Sequence, residues 1–316
     1  MKSILAVMLT WASLWAHASN TITIVSPYSP THSGTVAMQR IVEQANQQQK
    51  AYNFVLDFRP GGEQILAVKY MDESPQNRLA IIAPKYVEHI LAGRLNRQDY
   101  EPVWALGDAC WAVISNLGDE KKGLASLRGQ RELVVGGVGF GNTAHLTALE
   151  IGQRMGFQVR YVPFRSNFDA LVLMAGDGSV NMVLERVANY QQMKIKNPNL
   201  QMLAMSCPQR HPDAPAVATL LEQGFTTPYV FNIVIANRAM PATRQQDIAD
   251  ILNRATAQIG IKQIQQISDM RPPHTDTPVS MFYNRSMATS SALLKKHADQ
   301  IESDHNDRSA AKNVLK

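Results

Sequence analysis

The sequence predicts an α/β protein folded as two lobes. Short apolar or β-branched runs alternate with amphipathic helical stretches along most of the chain, the mark of βαβ units. The alternation comes in two series, one before and one after a polar, glycine-bearing segment at Asn116–Lys122. The 316 residues also exceed what one ordinary core encloses.

The elements follow in order. Lys2, the apolar run Ile4–Trp15 and the A-x-A site Ala16-His17-Ala18 form a secretory leader, expected to be cut after Ala18 by a Sec-type route. It is shorter than the ~20 residues of a membrane span. Thr21–Val25 is a β-branched strand, stopped by Ser26-Pro27-Tyr28-Ser29-Pro30, and Thr31-His32-Ser33-Gly34-Thr35 leads into a helix over Val36–Asn46. Phe54–Phe58 is the next strand, ended by Arg59-Pro60-Gly61-Gly62, with a helix from Gln64 to Met71 behind it. Leu79–Ala83, stopped by Pro84, is the third, and Val103–Leu106 and Cys110–Ser115 also read as strands.

The second series has strands at 133–135, 159–164, 180–184 and 200–205 and helices at 143–155 and 167–175. A proline-rich loop, Pro208–Pro215, precedes a helix expected over Ala216–Gln223, which Gly224 would cap. Val230–Ala236 is a buried strand that returns to the first lobe, and Pro241 opens a helix reaching Gln258. Helices around 261–268 and 279–301 follow, and the polar end Ser303–Lys316 is expected to fray. The expected organisation is a leader at 1–18, a first lobe at 19–117 and 228–302, a second lobe at 118–227 and a flexible tail at 303–316. Two chain crossings make a hinged clamshell, with strand ends of both lobes lining the cleft.

Composition excludes several classes. The net charge of +5 is modest and its lysines and arginines are scattered, so no nucleic-acid partner is expected, only a mild preference for anions. No G-x-S-x-G elbow, H-E-x-x-H helix or paired Cys/His spacing occurs, so neither enzyme chemistry, a metal nor a cofactor is expected. Cys110 and Cys207 each sit in an apolar stretch, and buried free thiols are the expected state.

The most informative stretch is Leu133–Glu150. An apolar strand runs into glycines at 136, 137, 139 and 141, and Asn142 or Thr143 then caps a helix. Such a turn presents bare amide hydrogens and the positive end of a helix dipole to an anion. A dinucleotide pyrophosphate is disfavoured. The G-x-G-x-x-G pattern fails at Asn142, and the next strand ends in Arg165 where an acidic residue would hold a ribose. A small carboxylate, or a plain turn with no ligand, remains.

Several motifs carry a resemblance. Asp99-Tyr100-Glu101-Pro102-Val103 with Leu106-Gly107 resembles the DFEPV…LG of the periplasmic solute-binding proteins of tripartite tricarboxylate transporters, the TctC or Bug family. Arg59-Pro60-Gly61, Gly139-x-Gly141-x-x-x-His145-Leu146, Val162-Pro163-Phe164-Arg165 and Leu221-Glu222-Gln223-Gly224-Phe225 resemble further family segments in the same order. The resemblance runs from the leader to the C-terminal helices. It implies a type II-like periplasmic binding protein, each lobe a mainly parallel sheet flanked by helices, that captures a small organic acid and hands it to a membrane permease. It also implies a periplasmic, monomeric protein. A ligand-sensing adaptor docking on a sensor-kinase ectodomain is the alternative, and a secreted enzyme on the same fold a third.

By the same resemblance the first lobe contributes Tyr28, Thr31, His32, Ser33, Gly34 and Thr35 to the site. The second contributes Gly139, Phe140, Gly141, Asn142 and Thr143, with Arg165 and Ser166 after Pro163 and Glu185 at a strand end. Two departures stand out: the family usually has a diglycine and then an Asp in the first loop, where Thr31–Thr35 stands here, and often an Asp where Glu185 stands. His145 is expected to be a core or supporting residue rather than a ligand contact.

Overall fold

The computed structural model describes residues 20–226, 228, 230–272 and 277–314, with side chains as far as Asn306. The expected leader lies outside them. Two sheets, each covered by helices on both faces, hold the chain together.

The first lobe opens with β1 (Thr21–Ser26), α1 (Ser33–Gln48), β2 (Asn53–Phe58), α2 (Ile65–Asp72), β3 (Arg78–Ile82), α3 (Lys85–Leu91) and β4 (Tyr100–Ala109). The second lobe comprises β5 (Trp111–Ser115), β6 (Glu132–Val138), α4 (Thr143–Met155), β7 (Gln158–Phe164), α5 (Asn167–Gly176), β8 (Met182–Arg186), α6 (Val187–Lys196) and β9 (Gln201–Met205). The chain then returns as β10 (Val230–Asn237), α7 (Ala242–Ile259), α8 (Ile261–Ser268), β11 (Met270–Arg271), α9 (Val279–Lys296) and α10 (Ala298–Val314). The strand orders are β11-β4-β10-β3-β1-β2 and β7-β6-β8-β5-β9.

Each sheet is mixed. β1 runs parallel to β2 and β3, and β6 parallel to β7 and β8, whereas β4, β5, β9, β10 and β11 pair antiparallel. The parallel character expected of whole sheets is therefore confined to the βαβ half of each. The reason lies in the connections. β4 carries the chain toward the second lobe and β10 brings it back, so these neighbours run in opposite senses.

Only Cys110 separates β4 from β5, and the change of sheet falls there instead of within Asn116–Lys122. Trp111–Ser115, expected in the first lobe, is a strand of the second sheet. The expectation of free thiols is overturned too. In the β5–β9 ladder Ala112 pairs with Met205. Two residues nearer the crossing, that register brings Cys110 opposite Cys207 with their Cα atoms 4.7 Å apart, and the two form a disulfide.

β4 extends beyond the expected Val103–Leu106 because Gly107 lets β11 join its edge. Gly107 has φ +119°, and a Cβ there would fall 1.8 Å from the carbonyl oxygen of Arg271. No helix forms over Ala216–Gln223. Thr219 instead bridges Met205, while the Thr219 amide donates to the Glu222 carboxylate and the Glu222 amide donates to the Thr219 hydroxyl. That capping box opens a turn which Gly224, at φ +81°, closes at once. Helices α3 and α6 were not expected: one is a single short stretch behind Pro84, the other mostly polar. The segment 279–301 breaks at His297, and the end expected to fray is helical to Val314, with Ile301 packed on the core and Asp304 half-buried.

Buried aliphatic residues fill both faces of both sheets: Ile22, Ile24, Met38 and Ile41 under α1, and Ile114, Leu171, Met174 and Val183 under α5. Leu146 of the second lobe packs into the same apolar cluster as Tyr283, Met287 and Leu293 of the first, so the lobes share packed surface.

Candidate functional site

Loops after parallel strands gather at one end of each sheet, where open α/β sheets hold ligands. In the first lobe the loop after β1 is braced from below, where the Ser26 hydroxyl accepts from the Tyr28 amide at 3.3 Å and lies 3.1 Å from the buried Thr35 hydroxyl. His32 caps α1, its Nδ1 accepting from the Gly34 amide at 3.2 Å. The amides of Ser33 and Thr35, also in the first turn, have no acceptor inside the helix. The His32 ring stacks on Tyr28 with centroids 4.0 Å apart, and the Tyr28 hydroxyl accepts from Gln64 Nε2 at 3.2 Å. His32 keeps an exposed edge, and the partial desolvation of its ring, and secondarily the charge of Arg186, holds the imidazole below its ordinary pKa. Burial pushes the Tyr28 phenol well above its own. Thr31 is exposed and Ser33 half-buried.

In the second lobe Gly139 and Gly141 both take left-handed φ, +60° and +68°, turning the chain from β6 into α4. Space beyond Gly139 is open, with nothing within 4 Å of a Cβ built there. Asn142 caps the helix, Oδ1 accepting from the His145 amide at 3.0 Å. The amides of Thr143 and Ala144 are left without an acceptor inside it. Phe140 packs against His145 and Tyr161.

Arg165 is exposed at the neighbouring strand end. The Ser166 hydroxyl is committed to capping α5, accepting from the Asp169 amide at 3.1 Å. Glu185 is 6% exposed, with Oε1 accepting from the Arg186 amide at 2.7 Å. Burial raises its pKa above the usual carboxylate range, partly opposed by hydrogen bonds from Arg186 and Asn189.

Contacts between the lobes run through residues that sequence reasoning did not nominate. Lys85 Nζ donates to the Phe140 carbonyl at 2.8 Å while bonding both Glu88 oxygens, at 2.7 and 2.8 Å, and lying 3.8 Å from Glu63. Glu88 crowds Gly141, where a Cβ would fall 2.7 Å from its Oε1. Arg186 reaches Asp269 across the hinge. Tyr28 to Gln64, its neighbour Glu63 to Lys85, and Lys85 to Phe140 form a chain of contacts that links the first loop to the glycine turn across the gap between lobes. A signal for these residues existed, since Glu63, Gln64 and Lys85 follow β2 and β3, whose strand-end loops face the same cleft. Beyond that chain, a groove of about 480 Å³ on the hinge side is lined by Arg186, His211, Lys262, Asp269 and Arg271.

Among the described residues no group of three or more His, Cys, Asp or Glu side chains could hold a metal ion. No described helix is long and apolar enough to cross a membrane.

Two mixed sheets, flanked by helices and adjoining at Cys110, give the two-lobed fold of periplasmic binding proteins. The profile of the tripartite tricarboxylate transporter family receptor, TctC, matches residues 127–296, more than half of the chain. The protein belongs to that family. Among solved structures, a TctC solute-binding protein from Polaromonas superposes with a TM-score of 0.67 at 18% identity, covering 89% of this chain and 99% of its own. MatC from Rhodopseudomonas palustris with bound malate gives 0.63 at 15% identity over 87% and 98%, and another R. palustris protein, with adipate, 0.63 at 18% over 89% and 97%. These likenesses establish the fold. No curated protein sequence matches the chain.

Proposed function

We propose that the protein is a periplasmic receptor that captures a small organic acid between its lobes and delivers it to a tripartite tricarboxylate-type permease. One observation carries the reading: two helix N-termini, one per lobe, are each capped by a side chain that takes one amide and leaves others for a ligand. Lys85 of the first lobe bonds the Phe140 carbonyl beside the second of them. The family, and the malate and adipate named for two structures of this fold, support a carboxylate.

The energetics are adequate. A carboxylate gains roughly 1.5–3 kcal/mol net per charge-assisted bond, and a helix N-terminus adds ~0.3–1 kcal/mol. Amides of α1 and α4, with the hydroxyls of Ser33 and Thr143, can together reach the ~8 kcal/mol of a micromolar complex after ordering costs. Neither lobe alone would, so ligand and closure are coupled. Arg165, exposed at the rim, is placed to meet a second carboxylate.

A thermal-shift screen of mono-, di- and tricarboxylates tests this. A ligand at one hundred times its dissociation constant adds ~2.7 kcal/mol to stability. Gly139→Val is expected to remove that shift, because its branched side chain projects into the open space where the acid approaches. At φ +60° it also costs the fold about 1–2 kcal/mol. A full ligand shift in the folded variant would reject this turn as the grip.

A further inference from the structure

The C-terminal helix α10 reaches into the second lobe through one buried side chain. His145, 0% exposed, has both ring nitrogens engaged. Nδ1 accepts from the Gly141 amide at 3.1 Å, and Nε2 lies 2.9 Å from Asp304 Oδ2. An imidazole that accepts at Nδ1 carries its proton on Nε2, so Nε2–H donates to Asp304. The ring stacks on Tyr161 at 4.1 Å, and His305 meets Phe140 edge-on at 5.6 Å. Further along α4, Glu150 Oε1 accepts from Lys296 at 2.5 Å and lies 2.6 Å from His297 Nε2.

Meanwhile α9 stays anchored in the first lobe by Tyr283, Met287 and Leu293. The α9–α10 pair is thus a further bridge between the lobes, beside the two chain crossings and the contacts of Lys85 and Arg186. It grips α4 at the end that carries the glycine turn. Gly139 and Gly141, in left-handed conformation and without side chains, depend on bonds to the turn's backbone: Asn142 Nδ2 donates to the Gly139 carbonyl at 3.3 Å and Lys85 to the Phe140 carbonyl at 2.8 Å, which leaves the Gly141 amide to be held. The Gly141 amide is fixed from outside the turn, by a nitrogen that a carboxylate polarises from behind.

We propose that α10 is a positioning element for this turn: Asp304, acting through the neutral imidazole of His145, holds the Gly141 amide and so sets the direction of the amides that Gly139–Thr143 offer to a ligand. The inference rests on the reading of that turn as acid-binding. Asp304 and His145 are positioning residues and make no ligand contact.

Amide hydrogen exchange of the unliganded protein, resolved at Gly141, tests it, beside calorimetric titration with malate and adipate. In Asp304→Ala, exchange at Gly141 is expected to quicken about tenfold, the loss of one charge-assisted bond, while β6 amides keep their protection. Asp304→Asn, which still accepts from Nε2–H, is expected to restore it, and whichever acid binds should do so more weakly in Asp304→Ala. A change at Gly141 of less than about twofold, below the smallest hydrogen-bond effect, overturns the proposal, as does faster exchange with unchanged affinity. Should the parent protein bind neither acid, exchange still decides the positioning, and failure of the whole carboxylate screen is what rejects the acid-receptor reading.

Discussion

His32 shows how much one residue does at the mouth of the cleft. It caps α1, stacks on Tyr28 and faces the charge of Arg186. Capping through Nδ1 requires a neutral ring, because a protonated imidazole has no acceptor left. Its pKa in the fold is lowered, first by partial desolvation of the ring and then by Arg186. Its contribution is therefore fully present above its unfolded pKa, near 6.5, and is lost as pH falls below that value. Thermal unfolding between pH 7.5 and 5 checks this against His32→Asn. Asparagine is among the best caps, so the variant should keep stability near neutral pH and lose less on acidification. Equal slopes in both proteins would assign the acid sensitivity elsewhere.

At the scale of elements, the disulfide is the clearest case of register deciding chemistry. It ties the end of β9 to the single residue between β4 and β5, closing a loop of 97 residues at the crossing. In the chain-entropy account a loop of that order removes enough unfolded-state freedom to stabilise by roughly 2–5 kcal/mol. Replacing both cysteines by alanine should lower the melting temperature accordingly, and reductant should do the same to the parent protein only. An unaltered denaturation midpoint would mean that the antiparallel ladder holds the crossing unaided.

For the whole molecule the question is what sets the separation of the lobes. Lys85 is one answer, since its ammonium is the direct hydrogen bond from the first lobe to the glycine turn. It is half-buried between Glu88 and Glu63, where a charged donor is worth more than at an exposed surface. Lys85→Met keeps the aliphatic stem and removes the donor, at roughly 1.5–3 kcal/mol of interlobe contact. The unliganded variant is expected to be more open, with a larger radius of gyration by small-angle scattering. Identical scattering from the two proteins would leave the shared apolar packing around Leu146 as the dominant tie.

The amino-acid order alone determined the alternation of strands and helices, two lobes, the span of α4 at 143–155, and the glycine turn with a cap at Asn142 or Thr143, between which the structure chose Asn142. All of these rest on local periodicity and on backbone preferences a few residues long. It also pointed to His32 and Glu185 as residues of interest, and could not tell that one caps a helix and the other bonds the amide next to it. Tertiary structure decided what depends on partners far away in sequence. The antiparallel β5–β9 register paired Cys110 with Cys207. Lys85 came to the Phe140 carbonyl from 55 residues away. A polar tail that looked unsupported is helical, and it is tied to the rest by Ile301 on the core and by Asp304 on His145, 159 residues earlier. Local sequence carries no trace of such contacts, since their free energy appears only once both surfaces have been built and brought together.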